Sequence, residues 1–179
     1  MKNSFLKYCL ILTIGALALS STVFAQGDKS KRASPPATAT GKIGEATLTI
    51  NYSSPSVKGR KIWGDLVPYD KVWRAGANEA TIFTTDKDIK VEGKSLPAGK
   101  YSLYAIPGEK EWTIILNSQT GQWGIKMDGE TTDDPAKDVL KVTVKPMKAK
   151  SFTEHLTYSV GKSGFALVWE NVDVPVSVK

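Results

Sequence analysis

From Glu45 to Tyr52 the chain alternates: Ala46, Leu48, Ile50 and Tyr52 share one phase, and Glu45, Thr47, Thr49 and Asn51 the other. A period of two with one polar face predicts a half-buried antiparallel strand. Residues 79–85 (EATIFTT) are β-branched and aromatic and predict a second. Asp88–Val91 and Lys94–Leu96 flank Glu92-Gly93, the signal of a tight hairpin. Lys100–Ile106 is apolar on both phases, as a central strand must be, and Pro107-Gly108 ends it. Glu111–Asn117 follows with Trp112, Ile114 and Leu116 inward.

The second half repeats the pattern. Val139–Lys145 puts Leu140, Val142 and Val144 on one face. Phe152–Val160 alternates as Phe152, Leu156, Tyr158 and Val160, and Gly164–Glu170 turns Phe165, Leu167 and Trp169 inward. Val172–Val178 alternates valines with polar residues, and Pro175 places it at a sheet edge because proline cannot donate a ladder hydrogen bond. At most a helical turn is expected, starting near Asp134. Nine or ten short strands with Gly/Pro punctuation predict an all-β fold over 42–179, an antiparallel β-sandwich of jelly-roll-like or Ig-like type, with a β-barrel as the alternative.

Two stretches escape the alternation. Residues 118–138 read as a long excursion between sheets. Residues 53–79 (SSPSVKGRKIWGDLVPYDKVWRAGANE) crowd two Trp, a Tyr, two Arg, three Gly and two Pro into irregular chain. Long loops inside compact domains are commonly functional. Arg60 and Arg74 can fork onto carboxylates or phosphates, Trp63, Tyr69 and Trp73 supply flat faces, Asn78 both donates and accepts, and Glu79 accepts. Together these seven are the candidate site of a small polar or carbohydrate-like ligand. The competing reading is a buried polar network in which Glu79 pairs with Arg74 or Arg60, Asn78 caps the loop backbone and the indoles plug one end of the sandwich.

The ends of the chain carry other information. Residues 1–25 begin with Lys2 and Lys7, continue through a short apolar run and finish Val23-Phe24-Ala25, the pattern of a cleaved secretory signal. An exported protein, periplasmic or extracellular, is expected, with no transmembrane span left after cleavage. Residues 26–41, polar and rich in Pro, Ser, Ala and Thr, read as a flexible tether. The +6 net charge of the 179-residue chain is concentrated here. Without Lys2 and Lys7 there are 22 cations against 18 anions, and from Gly41 onward 19 against 17. Such near-neutrality argues against a nucleic-acid partner.

The single cysteine, Cys9, lies in the signal, and the single histidine, His155, lies on a polar phase. A disulfide framework and a Cys/His metal cage are excluded within one chain. No phosphate-cradling glycine loop, CxxC, HExxH or nucleophile elbow occurs, so no cofactor, metal ligand or catalytic residue is assigned. The acidic run from Asp128 to Asp134 does not have calcium-loop spacing.

The string GRKIWGDLVPYDKVWRAGANEAT, followed by LPAGKYSLYAIPGEKEWTIILN, resembles the DUF2911 family of secreted bacterial proteins, and the likeness runs from about Ala46 to the end. The resemblance implies a β-rich exported domain and transfers no activity. Three functions stay open: a binding module using residues 58–79, an envelope hydrolase using Glu79 with Glu154, Asp65 or Asp70 as acid and base, and a purely structural envelope component.

Overall fold

The computed structural model describes residues 28–179. The expected signal segment, 1–25, lies outside the described residues. Ten strands follow in order: β1 (Pro36–Ile43), β2 (Ala46–Ser53), β3 (Thr81–Thr85), β4 (Ile89–Val91), β5 (Lys94–Leu96), β6 (Gly99–Ile106), β7 (Trp112–Asn117), β8 (Asp138–Val144), β9 (Met147–Gly161) and β10 (Gly164–Ser177). A short helical turn over Pro135–Lys137, capped by the Asp134 side chain, stands where one was expected. No helix among the described residues is long and apolar enough to cross a membrane.

One sheet runs β1-β2-β3-β6-β7-β8, each neighbour antiparallel to the next. Its order is a meander from which the β4–β5 hairpin loops out, rather than the Greek-key crossing of a jelly roll or an Ig fold. The sheet keeps two open edges, β1 and β8, so there is no closed barrel. Glu92 and Gly93 both have positive φ (46° and 79°), which gives the β4–β5 hairpin the tight turn its sequence signals. β6 lies mid-sheet, as its two apolar phases require.

Across the sheet lies the long β9–β10 hairpin, in contact with β1, β2 and β8. The core between these layers is made by Leu48, Ile50, Phe83, Leu103, Trp112, Leu116, Leu140, Leu156, Phe165, Leu167, Trp169 and Val176, all buried. The inward phases expected for β2, β7, β8 and β10 are therefore the buried ones.

Two expectations are corrected. Residues 36–41, assigned to a flexible tether, belong to β1, which pairs along its whole length with β2 from Pro36↔Ser53 to Ile43↔Ala46. Composition gave no sign of this, because Thr and Ala at an edge need no apolar alternation when the hydrogen-bond ladder comes from the neighbouring strand. Phe152, expected inward, is 55% exposed. The β9–β10 register shifts on either side of Glu170, and a bulge reverses which side chains face the core beyond it. Leu156 and Tyr158, past the bulge, are buried as expected.

Candidate functional site

Residues 54–80 form irregular chain that meets the six-stranded sheet at an isolated bridge to β6. The chain reverses often: Lys58, Asp70, Ala75 and Asn78 have positive φ, as do Gly59 and Gly64. Several attachments fix it. Trp73 and Ala105 exchange backbone hydrogen bonds (2.7 and 2.9 Å). The Ala75 carbonyl accepts from both the Thr81 hydroxyl (3.0 Å) and the buried Tyr158 hydroxyl (2.8 Å). Glu79 bridges to Trp123 in the 118–137 excursion, and Ser56 bridges to His155 on β9. These contacts hold the Arg74–Gly76 turn in place, and at Gly76 a Cβ would press within 2.7 Å of the Thr81 hydroxyl.

The seven candidates divide. Trp63 is buried in the core, edge-on to Trp73, Trp112 and Trp169 at centroid separations of 5.8, 4.9 and 5.7 Å. Tyr69 faces a separate depression beside Asp70, Glu109 and Lys145. Arg60, Trp73, Arg74 and Asn78 come together around one cavity of about 420 Å³. Residues that sequence reasoning did not single out complete it: Lys71 and Val72, Ile125 and Thr131 from the excursion, Trp169 from β10 and Ser34 from the N-terminal segment. A ligand cavity of this size is ordinary for small molecules.

Its charged lining is uniform: Arg60, Lys71 and Arg74, with no carboxylate. Arg60 is committed to the backbone, its guanidinium donating to the carbonyls of Val57 (3.0 Å) and Ser56 (2.5 Å). Arg74 is different. It is half-buried, its Nε donates to the Gly76 carbonyl at 3.3 Å, and no carboxylate neutralises it. Its Nη1 is buried with no hydrogen-bond partner among the described residues. Desolvation lowers its pKa from the usual guanidinium value. The excursion clamps its stem from above at Gly124, where a Cβ would collide with the Arg74 side chain. Trp73 stacks on Trp169 (6.1 Å, 15°), and both rings contribute to the wall.

Glu79 does not line the cavity. The Nη1 of Arg32 donates to both of its carboxylate oxygens (3.0 and 2.9 Å), and the Lys29 ammonium sits 3.0 Å away. Partial burial pushes the Glu79 pKa upward, but hydrogen bonds from Lys29, from its own backbone and from Arg32 outweigh this and hold it at about 2, against an ordinary 4.5. A carboxyl depressed in this way contributes stability that is complete above 4.5 and is lost as the pH falls toward 2. A carbon-13 titration of the Glu79 carboxyl is expected to show a midpoint near 2, and a midpoint at the ordinary value would mean that the pairing does not persist in solution. Asn78 donates to the Ser34 carbonyl (2.9 Å) of the N-terminal segment, not to the backbone of its own loop.

The network expected within the segment is not the one observed: Glu79 pairs with Lys29 and Arg32 rather than with Arg60 or Arg74, and Asn78 bonds the N-terminal segment rather than its own loop. No signal in the sequence links residues 47 positions apart across irregular chain. No carboxylate lines this cavity, so it brings together no carboxylate pair; Glu154 lies elsewhere and accepts from the Lys58 amide (2.9 Å). Among the described residues no three His, Cys, Asp or Glu side chains cluster as a metal would need.

No curated protein and no solved structure matches the chain. A family model described as "Protein of unknown function (DUF2911)" matches residues 34–178, which takes in every strand, the 54–80 segment and the whole cavity lining. The chain therefore belongs to the DUF2911 family.

Proposed function

We propose that the protein is an exported binding module that takes a small carboxylate with a flat apolar body into the Arg74 cavity. The observation that carries this reading is the Arg74 guanidinium: half-buried, without a carboxylate partner, and set in a lining whose charges are all positive. Buried charge without a counter-ion destabilises a fold. A bound carboxylate would supply the missing acceptors as charge-assisted hydrogen bonds. Trp73, Val72 and Ile125 offer apolar surface for the rest of the ligand. Among carbohydrate-like ligands, the lining favours acidic sugars over neutral ones, because no lining carboxylate is present to accept from hydroxyls.

The test compares benzoate with its neutral isostere benzamide by calorimetry and amide chemical-shift mapping. Benzoate is expected to bind at least about tenfold more tightly, a difference of about 1.4 kcal/mol, with shifts centred on residues 71–78. Arg74→Met should abolish that preference. It should leave the melting temperature unchanged or slightly raised, because an apolar side chain of similar length replaces an unneutralised cation. Equal binding of the two ligands, or unfolding of Arg74→Met, would overturn the reading in favour of a structural arginine.

A further inference from the structure

We infer that residues 28–35 form a latched strap that regulates entry to this cavity, with Glu79 as the catch. The inference rests on the cavity reading above and adds a control element to it. Three observations support it.

First, the strap reaches both walls. Ser34 lines the cavity and its carbonyl accepts from Asn78 of the 54–80 segment. Arg32 spans from the Glu79 carboxylate to the Trp123 ring of the excursion, its guanidinium carbon 5.9 Å from the ring centroid. Lys29 adds a second cation on Glu79.

Second, the strap has one firm end and one weak one. At Pro35 its carbonyl accepts from the Ser54 amide (2.9 Å), and β1 begins at the next residue, fully paired. Among the described residues the backbone-to-backbone hydrogen bonds from Asp28 to Ser34 are local, Lys31 to Asp28 and Arg32 to Lys29, and the Ser34 carbonyl is held by the Asn78 side chain alone. Nothing in this stretch is buried, so no apolar packing secures it.

Third, the attachments are of the kind that open easily. The Lys29–Glu79 pair has side chains 46% and 36% exposed, and the Arg32–Glu79 pair 31% and 36%. Ion pairs this exposed hold weakly and are screened by salt. A segment anchored at one end and held by such pairs at the other opens locally without unfolding the sheet. Because Ser34 is part of the cavity wall, each opening removes part of that wall.

The experiment uses the whole exported chain, with benzoate as the probe. Glu79→Gln breaks the latch from the cavity side, and Lys29→Gln/Arg32→Gln breaks it from the strap side without touching the 54–80 segment. Both leave Lys31 as a trypsin site in the strap. Each variant is expected to speed cleavage after Lys31 and the benzoate dissociation rate, read by NMR line shape, by about fivefold, the combined effect of losing both exposed pairs. The melting temperature should stay close to that of the unaltered chain. Faster cleavage with an unchanged benzoate rate would overturn the regulatory role and leave a plain clamp, and no change in either would overturn the latch itself. Failure of the unaltered protein to bind benzoate would instead overturn the cavity reading, so the two failures are distinguishable. If Glu79→Gln does not fold, the strap-side double variant decides alone.

Discussion

Trp169→Ala is expected to destabilise the domain by about 3–5 kcal/mol, the usual cost of truncating a large buried aromatic. Trp169 is 1% exposed and belongs to a cluster of four indoles: it stacks on Trp73 and meets Trp63 edge-on. Aromatic pairs of this geometry add to simple burial. Its Nε1 donates to the Glu154 carbonyl (3.3 Å), which the substitution would leave without that donor. The backbone around the vacated space cannot collapse far, since Trp73 is tied to Ala105 on one side and β9 to β10 on the other. For a domain of this size the loss corresponds to a fall of roughly 10 °C in melting temperature, and it removes a large share of a typical total stability of about 5–15 kcal/mol. Urea unfolding followed by tryptophan fluorescence measures it. Because Trp169 also lines the cavity, the same substitution should weaken benzoate binding. Trp73→Ala is the informative comparison. That ring is only half-buried, so its loss should weaken binding with a smaller cost in stability. If Trp73→Ala unfolded the domain as readily as Trp169→Ala, the segment would be a plug rather than a wall.

The second large effect is expected at Gly164. β10 doubles back on itself: the Val178 amide donates to the Ser163 carbonyl (2.9 Å), so the two ends of one strand meet. Midway along β10, Glu170 carries a positive φ of 55° between two register shifts. Where the ends touch, a Cβ on Gly164 would fall on the Val176 carbonyl oxygen and within 3.0 Å of the Val178 amide nitrogen. These are backbone atoms that cannot swing aside. Gly164 also has a φ of 148°, a conformation that side-chain-bearing residues rarely adopt. Gly164→Ala therefore combines overpacking with backbone strain, together roughly 2–6 kcal/mol. Urea midpoints would register the loss. A variant as stable as the parent would show that the strand ends do not meet in solution. At Gly93, by contrast, a Cβ would meet nothing, so an alanine there would face only the strain of its positive φ.

Both predictions turn on contacts that no single stretch of chain announces. Trp169 was legible as an inward residue because it shares a phase with Phe165 and Leu167. That it meets Trp73 and Trp63 across the domain was not, because alternation reports the face of a strand and nothing about what packs on that face. The same holds in the irregular segment. The crowding of Arg, Trp, Asn and Glu drew attention to residues 53–79, and four of the seven chosen residues do surround one cavity. Trp63 and Tyr69 could not be separated from them without knowing which way each turn points. Arg32 and Lys29 were passed over as tail residues, since a weak electrostatic attachment to a distant glutamate leaves no periodic trace.

The order of residues by itself determined that this chain is an antiparallel all-β protein, that β6 lies mid-sheet, where the β4–β5 hairpin turns and which stretch would refuse to be a strand. Those properties are local: they follow from side-chain alternation, from β-branched and aromatic runs and from glycine and proline, all of which act within a few residues. Only the tertiary structure decided that the supposed tether begins a strand, that Glu79 is already neutralised and that Arg74 is not. These outcomes depend on which charges become neighbours when segments far apart in the chain close on one another. That is settled by the packing of the whole domain, in which burial raises the cost of an unpaired charge and distance selects its partner.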